Sequence, residues 1–317
     1  MKRKVWLALA LAVWLATAAL AAAQDAAPPA AAPTATPVPR PAPVSSTPSG
    51  RGATINLFFD KLAQGQASLL QVIAPDLAGV TVRFADRALE GFPWPGEGYF
   101  ALIAPPMEQS SRRYNLDIYI TYADELRETV TVQVEVANGG FITQDVPLAP
   151  DKTYLLDPEL ERAELARLES LFSVVTPQML WRGSRFDLPI PGGTLTSPFG
   201  AFRTFNQTFQ TRHTGWDIRA AQGQPVLASA AGTVAFAGFL DIRGNIVVVD
   251  HGYGVYSTYS HLSQVHVTRG QSVTAGQVLG TVGATGRTSG AHFHWEIAVN
   301  GVFVDAARFI QTWLPGA

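Results

Sequence analysis

Short runs in which apolar and polar residues alternate, broken every few positions by glycine, proline, aspartate or asparagine, recur through most of this chain. They limit it to a mainly β fold, because alternate side chains of a strand point to opposite faces. Val130, Val132, Val134 and Val136 alternate with polar partners, the pattern of a strand with one buried face. TINLFF (54–59), SLLQVIA (68–74), VTVRF (80–84), YFALIA (99–104), YNLDIYITY (114–122) and TVTVQVEVA (129–137) repeat it between turn residues. So many strands in about a hundred residues predict an immunoglobulin-like β-sandwich over 53–150. One stretch departs from period two. Asp157 is a suitable N-cap, Pro158 sits at the first helical position, and Leu160, Leu165, Leu168, Leu171 and Phe172 form a stripe that Pro177 stops. A helix is expected over 158–175, inside a connector spanning 151–187. From residue 188 to 317 strand patterns return, now rich in glycine, and predict a second all-β domain. A length of 317 residues accommodates both domains.

The N-terminus has the composition of an export signal. Lys2, Arg3 and Lys4 precede an apolar stretch from Val5, and Ala19-Leu20-Ala21 and Ala21-Ala22-Ala23 both fit the small-residue cleavage pattern. Residues 1–23 are therefore predicted to be a signal peptide. The apolar run is nearly long enough to span a bilayer, so an uncleaved N-terminal anchor is the alternative. Residues 24–52, dominated by Ala, Pro, Thr and Ser, read as an extended tether. The working part of the chain is thus expected to be secreted, in a periplasm or a cell wall. Absence of cysteine excludes disulfides and thiolate metal sites, and a net charge of −2 gives no electrostatic case for nucleic acid. No other membrane contact is expected, and the chain is read as a monomer.

Chemistry-bearing residues concentrate in the second domain, which holds all six histidines. In SGAHFHWEI (289–297) a strand would bury Phe293, Trp295 and Ile297 on one face and put His292, His294 and Glu296 on the other. Two histidines sharing the face opposite two aromatic residues are hard to explain as packing. His213 and Asp217, four apart in TRHTGWDIRA, can converge in a helix or a strand, and Gly215 favours an extended or turning backbone. His261 ends the strand-like YSTYSHL. Two histidines and a carboxylate suit zinc and leave one position open, as catalytic rather than structural zinc sites do. Glu296 is expected to support that face or to be an exposed charge. His251 reads as structural and His266 as surface. Gly283, Gly286 and Gly290 are expected in a flexible loop rimming a cleft. Phe92, Trp94 and Tyr99 read as packing around prolines, and nothing in 53–150 clusters catalytic residue types.

GTLTSPFGAFRTFN (193–206), RHTGWDIRAAQGQPVLASAAGTVAFAG (212–238), VVDHGYGVYSTYSHLSQV (248–265), VTRGQSVTAGQVLGTVGATGRTSGAHFHWEI (267–297) and NGVFVDAARFI (300–310) together resemble the lysostaphin/LytM-type peptidoglycan zinc metalloendopeptidases, over about residues 188–312. The resemblance implies an all-β glycine-rich peptidase domain and one zinc ion per chain. Its zinc ligands would be His213, Asp217 and His294. His261 and His292 would be catalytic without binding the metal, and a peptidoglycan peptide would be the substrate. Asn206 matches a position that lines the groove in this family. VTRGQSVTAGQVLGTVGATG also resembles half of a biotinyl or lipoyl carrier, but such a carrier needs a lysine and none follows Lys152. Some relatives that have lost ligands act as non-enzymatic activators of other wall hydrolases. All five positions are intact here, which favours an enzyme.

Overall fold

The computed structural model describes residues 38–317. The expected signal peptide at 1–23, and the tether as far as residue 37, lie outside the described residues. The end of the expected tether is not free chain: Ser45–Pro48 pairs antiparallel with Thr54–Leu57. Its strand supplies an edge that the 54–57 strand would otherwise expose.

Ten strands of the first half form two five-stranded sheets. One orders Ser45–Pro48, Thr54–Leu57, Ser68–Ile73, Gly98–Ile103 and Phe92–Trp94. The other orders Lys61–Ala63, Arg127–Ala137, Arg113–Tyr122, Leu77–Phe84 and Arg87–Glu90, and Lys61–Ala63 runs parallel to its neighbour. Ile55, Leu70, Val72, Val82, Ile103, Leu116, Ile118 and Ile120 from both sheets share one buried core. Of the alternating valines, Val134 and Val136 reach it, while Val130 and Val132 pack at its margin.

A seven-residue 3₁₀ segment, Pro150–Leu156, precedes the connector helix Pro158–Phe172, whose N-cap Asp157 accepts from the Glu159 amide at 2.9 Å. The helix ends three residues before the expected 175. Beyond Phe172 the backbone is taken by a hairpin of the second half: Tyr256 donates to Val174 O (2.5 Å), Tyr253 N to Thr176 O (2.8 Å), and Leu180 N to His251 O (2.9 Å). Leu168 and Phe172 bury against Ile246, Val248, Tyr256 and Ala298.

The second half is built on a ten-stranded sheet. Its central run is Trp216–Arg219, Phe293–Val299, Val255–Val265, Gly244–Gly252 and Gly232–Leu240, all antiparallel. A smaller sheet sets Thr143–Val146 parallel to Phe202–Phe205, itself paired with Phe209–Arg212. The two halves share apolar surface rather than hanging on a linker. Phe92 stacks on Tyr253 at 4.1 Å between centroids, Trp313 packs against Phe58 and Phe100, and Asp305 N donates to Gly65 O (2.8 Å). Phe92 and Trp94 are therefore packing residues at this seam, with Arg182 over the Trp94 ring.

Candidate active site

Strand register assembles the site. Asp217 lies directly opposite His294 on the neighbouring strand, and Ser260 lies opposite His294 on the other side. His213 sits in the extended chain just before Asp217's strand. That approach needs Gly215, where an added Cβ would meet Trp295 O at 2.2 Å.

His213 Nε2, Asp217 Oδ1 and His294 Nδ1 form a nearly equilateral triangle, with sides of 3.1, 3.0 and 3.0 Å. All three residues are buried. Ligand atoms about 2.0–2.2 Å from one ion stand only a little further apart than this, so the two nitrogens and the oxygen fit zinc. Each imidazole is oriented from behind. His213 Nδ1 donates to Pro198 O (2.8 Å), which leaves Nε2 its lone pair toward the triangle. His294 presents the opposite nitrogen, with Nε2 3.2 Å from Glu296 Oε1. The second Asp217 oxygen accepts from Arg203.

Charges follow from these partners. Burial pushes the His213 imidazole down to about 4. Burial alone would raise the Asp217 carboxyl, yet His213, His292 and His294 hold it well below its ordinary value. For His294 the Glu296 and Asp217 carboxylates outweigh burial and raise the pKa. Glu296 is fully buried and is no exposed charge. Arg243 grips it through Nε (3.0 Å) and Nη2 (2.6 Å), Thr214 donates a third bond, and Arg243 with His294 keeps it ionised against desolvation.

The two further histidines converge on the same spot. His292 Nδ1 lies 2.9 Å from Gly290 O and from Thr288 Oγ1, which turns Nε2 to within 3.5 Å of Asp217 Oδ1. His261 does not end its strand, which continues to Val265; it sits in a bulge, since Asn245 pairs with Leu262 but Val247 with Tyr259. Its φ of +61° is unusual for a residue with a Cβ, and bulges re-aim side chains in this way. Arg243 O accepts its amide and Thr285 O its Nδ1, both at 2.8 Å, so Nε2 faces the cleft. Burial, and then the adjacent His292 and His294, push its pKa well below the usual value. The two rings are 4.9 Å apart.

The remaining histidines stay apart. His251 is buried between Ala231 O and Ser257 Oγ, and burial takes it down to about 4. His266 is exposed. Asn206 is not at the triangle: both ends of its amide bind the Leu148 backbone, at 2.8 and 3.1 Å. Arg203, three residues earlier in the same FRTFN stretch, makes the contact to Asp217 instead. The glycine loop also differs from expectation. Lys152 Nζ reaches the carbonyls of Ala284, Gly286 and Thr288, each at 3.1 Å, so the loop is tied to the connector.

Sequence reasoning missed Arg203 and Arg243, whereas the connector helix that it expected is present. Glu161 and Leu165 of the helix line the cavity beside His213, His261 and His294, leaving about 50 Å³. Ligand pockets run to roughly 300–1,000 Å³. The helix therefore forms one wall of a cleft that is narrow beside the proposed site.

Residues 211–306 match peptidase family M23. Over 114 residues the chain is 41% identical to the DD-carboxypeptidase/endopeptidase Mpg of Neisseria meningitidis, covering 36% of this chain and 26% of that protein. Over 96 residues it is 40% identical to the peptidoglycan DD-endopeptidase ShyA of Vibrio cholerae, covering 30% of this chain and 22% of that protein. The chain thus spans about a quarter of the length of these curated relatives. A Pseudomonas aeruginosa crystal structure assigned to peptidase M23 superposes with a TM-score of 0.59 at 26% identity, over 78% of this chain and 95% of that one. A fold shared on that scale, together with the sequence match, identifies residues 211–306 as a peptidase family M23 domain.

Proposed function

We propose that this protein is a zinc metalloendopeptidase that hydrolyses peptide bonds in the stem peptides or cross-bridges of bacterial peptidoglycan, outside the cytoplasm. The observation that carries this reading is the buried triangle of His213, Asp217 and His294 with two more imidazoles aimed at its open side. His213, Asp217 and His294 would hold the ion. When bound, zinc supplies Lewis acidity, which polarises the scissile carbonyl and acidifies water.

The chain's own residues do the rest. His261 and His292 have their Nδ1 atoms tied to backbone carbonyls, so each offers Nε2 for proton transfer. One accepts the proton of the attacking water, and the other donates to the leaving amine or to the developing oxyanion. Arg203 fixes the Asp217 carboxylate, while Arg243 and Glu296 fix the His294 ring. The relatives named DD-endopeptidase support a wall-peptide substrate. Among the described residues no helix is long and apolar enough to cross a membrane. A non-catalytic activator of another wall hydrolase is the alternative reading, and the convergence of all five residues favours the enzyme.

We also read the two N-terminal sheets as an immunoglobulin-like sandwich, supported by their shared core. Purified full-length protein is expected to release new amino groups from peptidoglycan and to lose that activity to a chelator. Equal activity with and without chelator would contradict the zinc reading.

A further inference from the structure

The cleft holds more positive charge than the triangle uses. Arg287 Nη1 lies 2.8 Å from Glu161 Oε2, and Thr211 donates its hydroxyl to Glu161 Oε1. Both donors belong to the peptidase half of the chain, whereas the carboxylate belongs to the connector helix. Arg287 is nearly buried and lies over the rings of Phe205 (4.8 Å) and Phe209 (5.5 Å), also peptidase residues. The guanidinium is thus set in place by its own domain and accepts an anion from outside it.

Lifting the helix out of the groove uncovers this cradle. If nothing replaces Glu161, a guanidinium packed on two aromatic rings loses its anionic partner, which is costly in a desolvated place. If the incoming peptide carries a carboxylate at the same position, the charge-assisted bonds are exchanged rather than lost. Resting on the peptidase reading above, we propose that Arg287 and Thr211 form a carboxylate subsite for the substrate peptide, and that Glu161 occupies it as an internal stand-in. The preferred substrate is then a cross-linked peptide bearing a free carboxylate beside the scissile bond, and a neutral bridge such as oligoglycine is disfavoured. The contact holds the helix in the groove until such a peptide competes for it.

The test uses the zinc-loaded full chain and two synthetic cross-linked peptides, identical except that one has its carboxylates amidated. The wild type is expected to prefer the free-carboxylate peptide by about tenfold or more in kcat/KM, the worth of a charge-assisted bond. Arg287→Gln should abolish the preference through KM, with zinc content unchanged. Thr211→Val, which removes only the hydroxyl donor, should reduce it in the same direction. Glu161→Gln should raise kcat/KM on both peptides while keeping the preference. Equal cleavage of the two peptides by the wild type, or a preference that survives in both subsite variants, overturns the proposal and leaves the peptidase reading standing. Cleavage of neither peptide overturns both.

Discussion

Glu296 shows how much of the site depends on residues that never face the open side of the triangle. Its carboxylate stands 3.2 Å from His294 Nε2 and is itself held by Arg243, whose Nη1 also reaches Glu164 of the connector helix at 2.9 Å. One buried guanidinium therefore links the helix to a proposed ligand. Glu296→Gln should weaken zinc binding about 10–100-fold, the usual cost of losing the carboxylate behind a ligating histidine. Competition with a chromogenic chelator measures it, and an unchanged affinity would remove Glu296 from the site. The pairing of His292 with His294, and the place of Glu296 on their face, were legible from period two alone. Arg243 was not, because its partners lie 53 and 79 residues away and leave no local pattern. Arg203 stood in plain view within FRTFN, where the resemblance drew attention to Asn206 instead.

Among elements, the connector helix was legible from its cap, proline and apolar stripe, and its cover of the cleft was one of the arrangements that those signals left open. A stripe says that one face is buried without saying against what, and here Leu168 and Phe172 face the peptidase sheet while Glu161 and Leu165 close its cleft. The same docking explains why the 283–290 loop is held although its glycines suggested freedom. Gly286, at φ +78°, leaves its carbonyl pointing at Lys152, together with those of Ala284 and Thr288. Lys152→Met keeps the stem and removes the three donors. Amide exchange in 284–288 should then quicken, while exchange in the 244–252 strand stays unchanged. Identical protection of the loop in both proteins would show that Lys152 does not restrain it.

At the scale of the whole molecule, the alternating runs correctly announced two β regions, and the glycine framework announced the second one's family. The seam between them was hidden because its contacts are long-range. FPWPG has the look of a proline-bounded turn, yet Phe92 is 4% exposed and stacks on Tyr253 of the peptidase half. Phe92→Ala is expected to destabilise the protein by about 3–5 kcal/mol in urea unfolding, with both halves lost in one transition. A change below about 1 kcal/mol, or two separated transitions, would mean the halves are energetically independent. The most direct test of the central claim compares His294→Ala with His292→Ala, measuring metal content beside kinetics. His294→Ala should lose zinc and activity together, since binding depends on a complete ligand set. His292→Ala should keep its zinc and lose roughly 10²–10⁴-fold in rate; equal zinc loss in the two variants would contradict the division of the site into three ligands and two acid–base histidines.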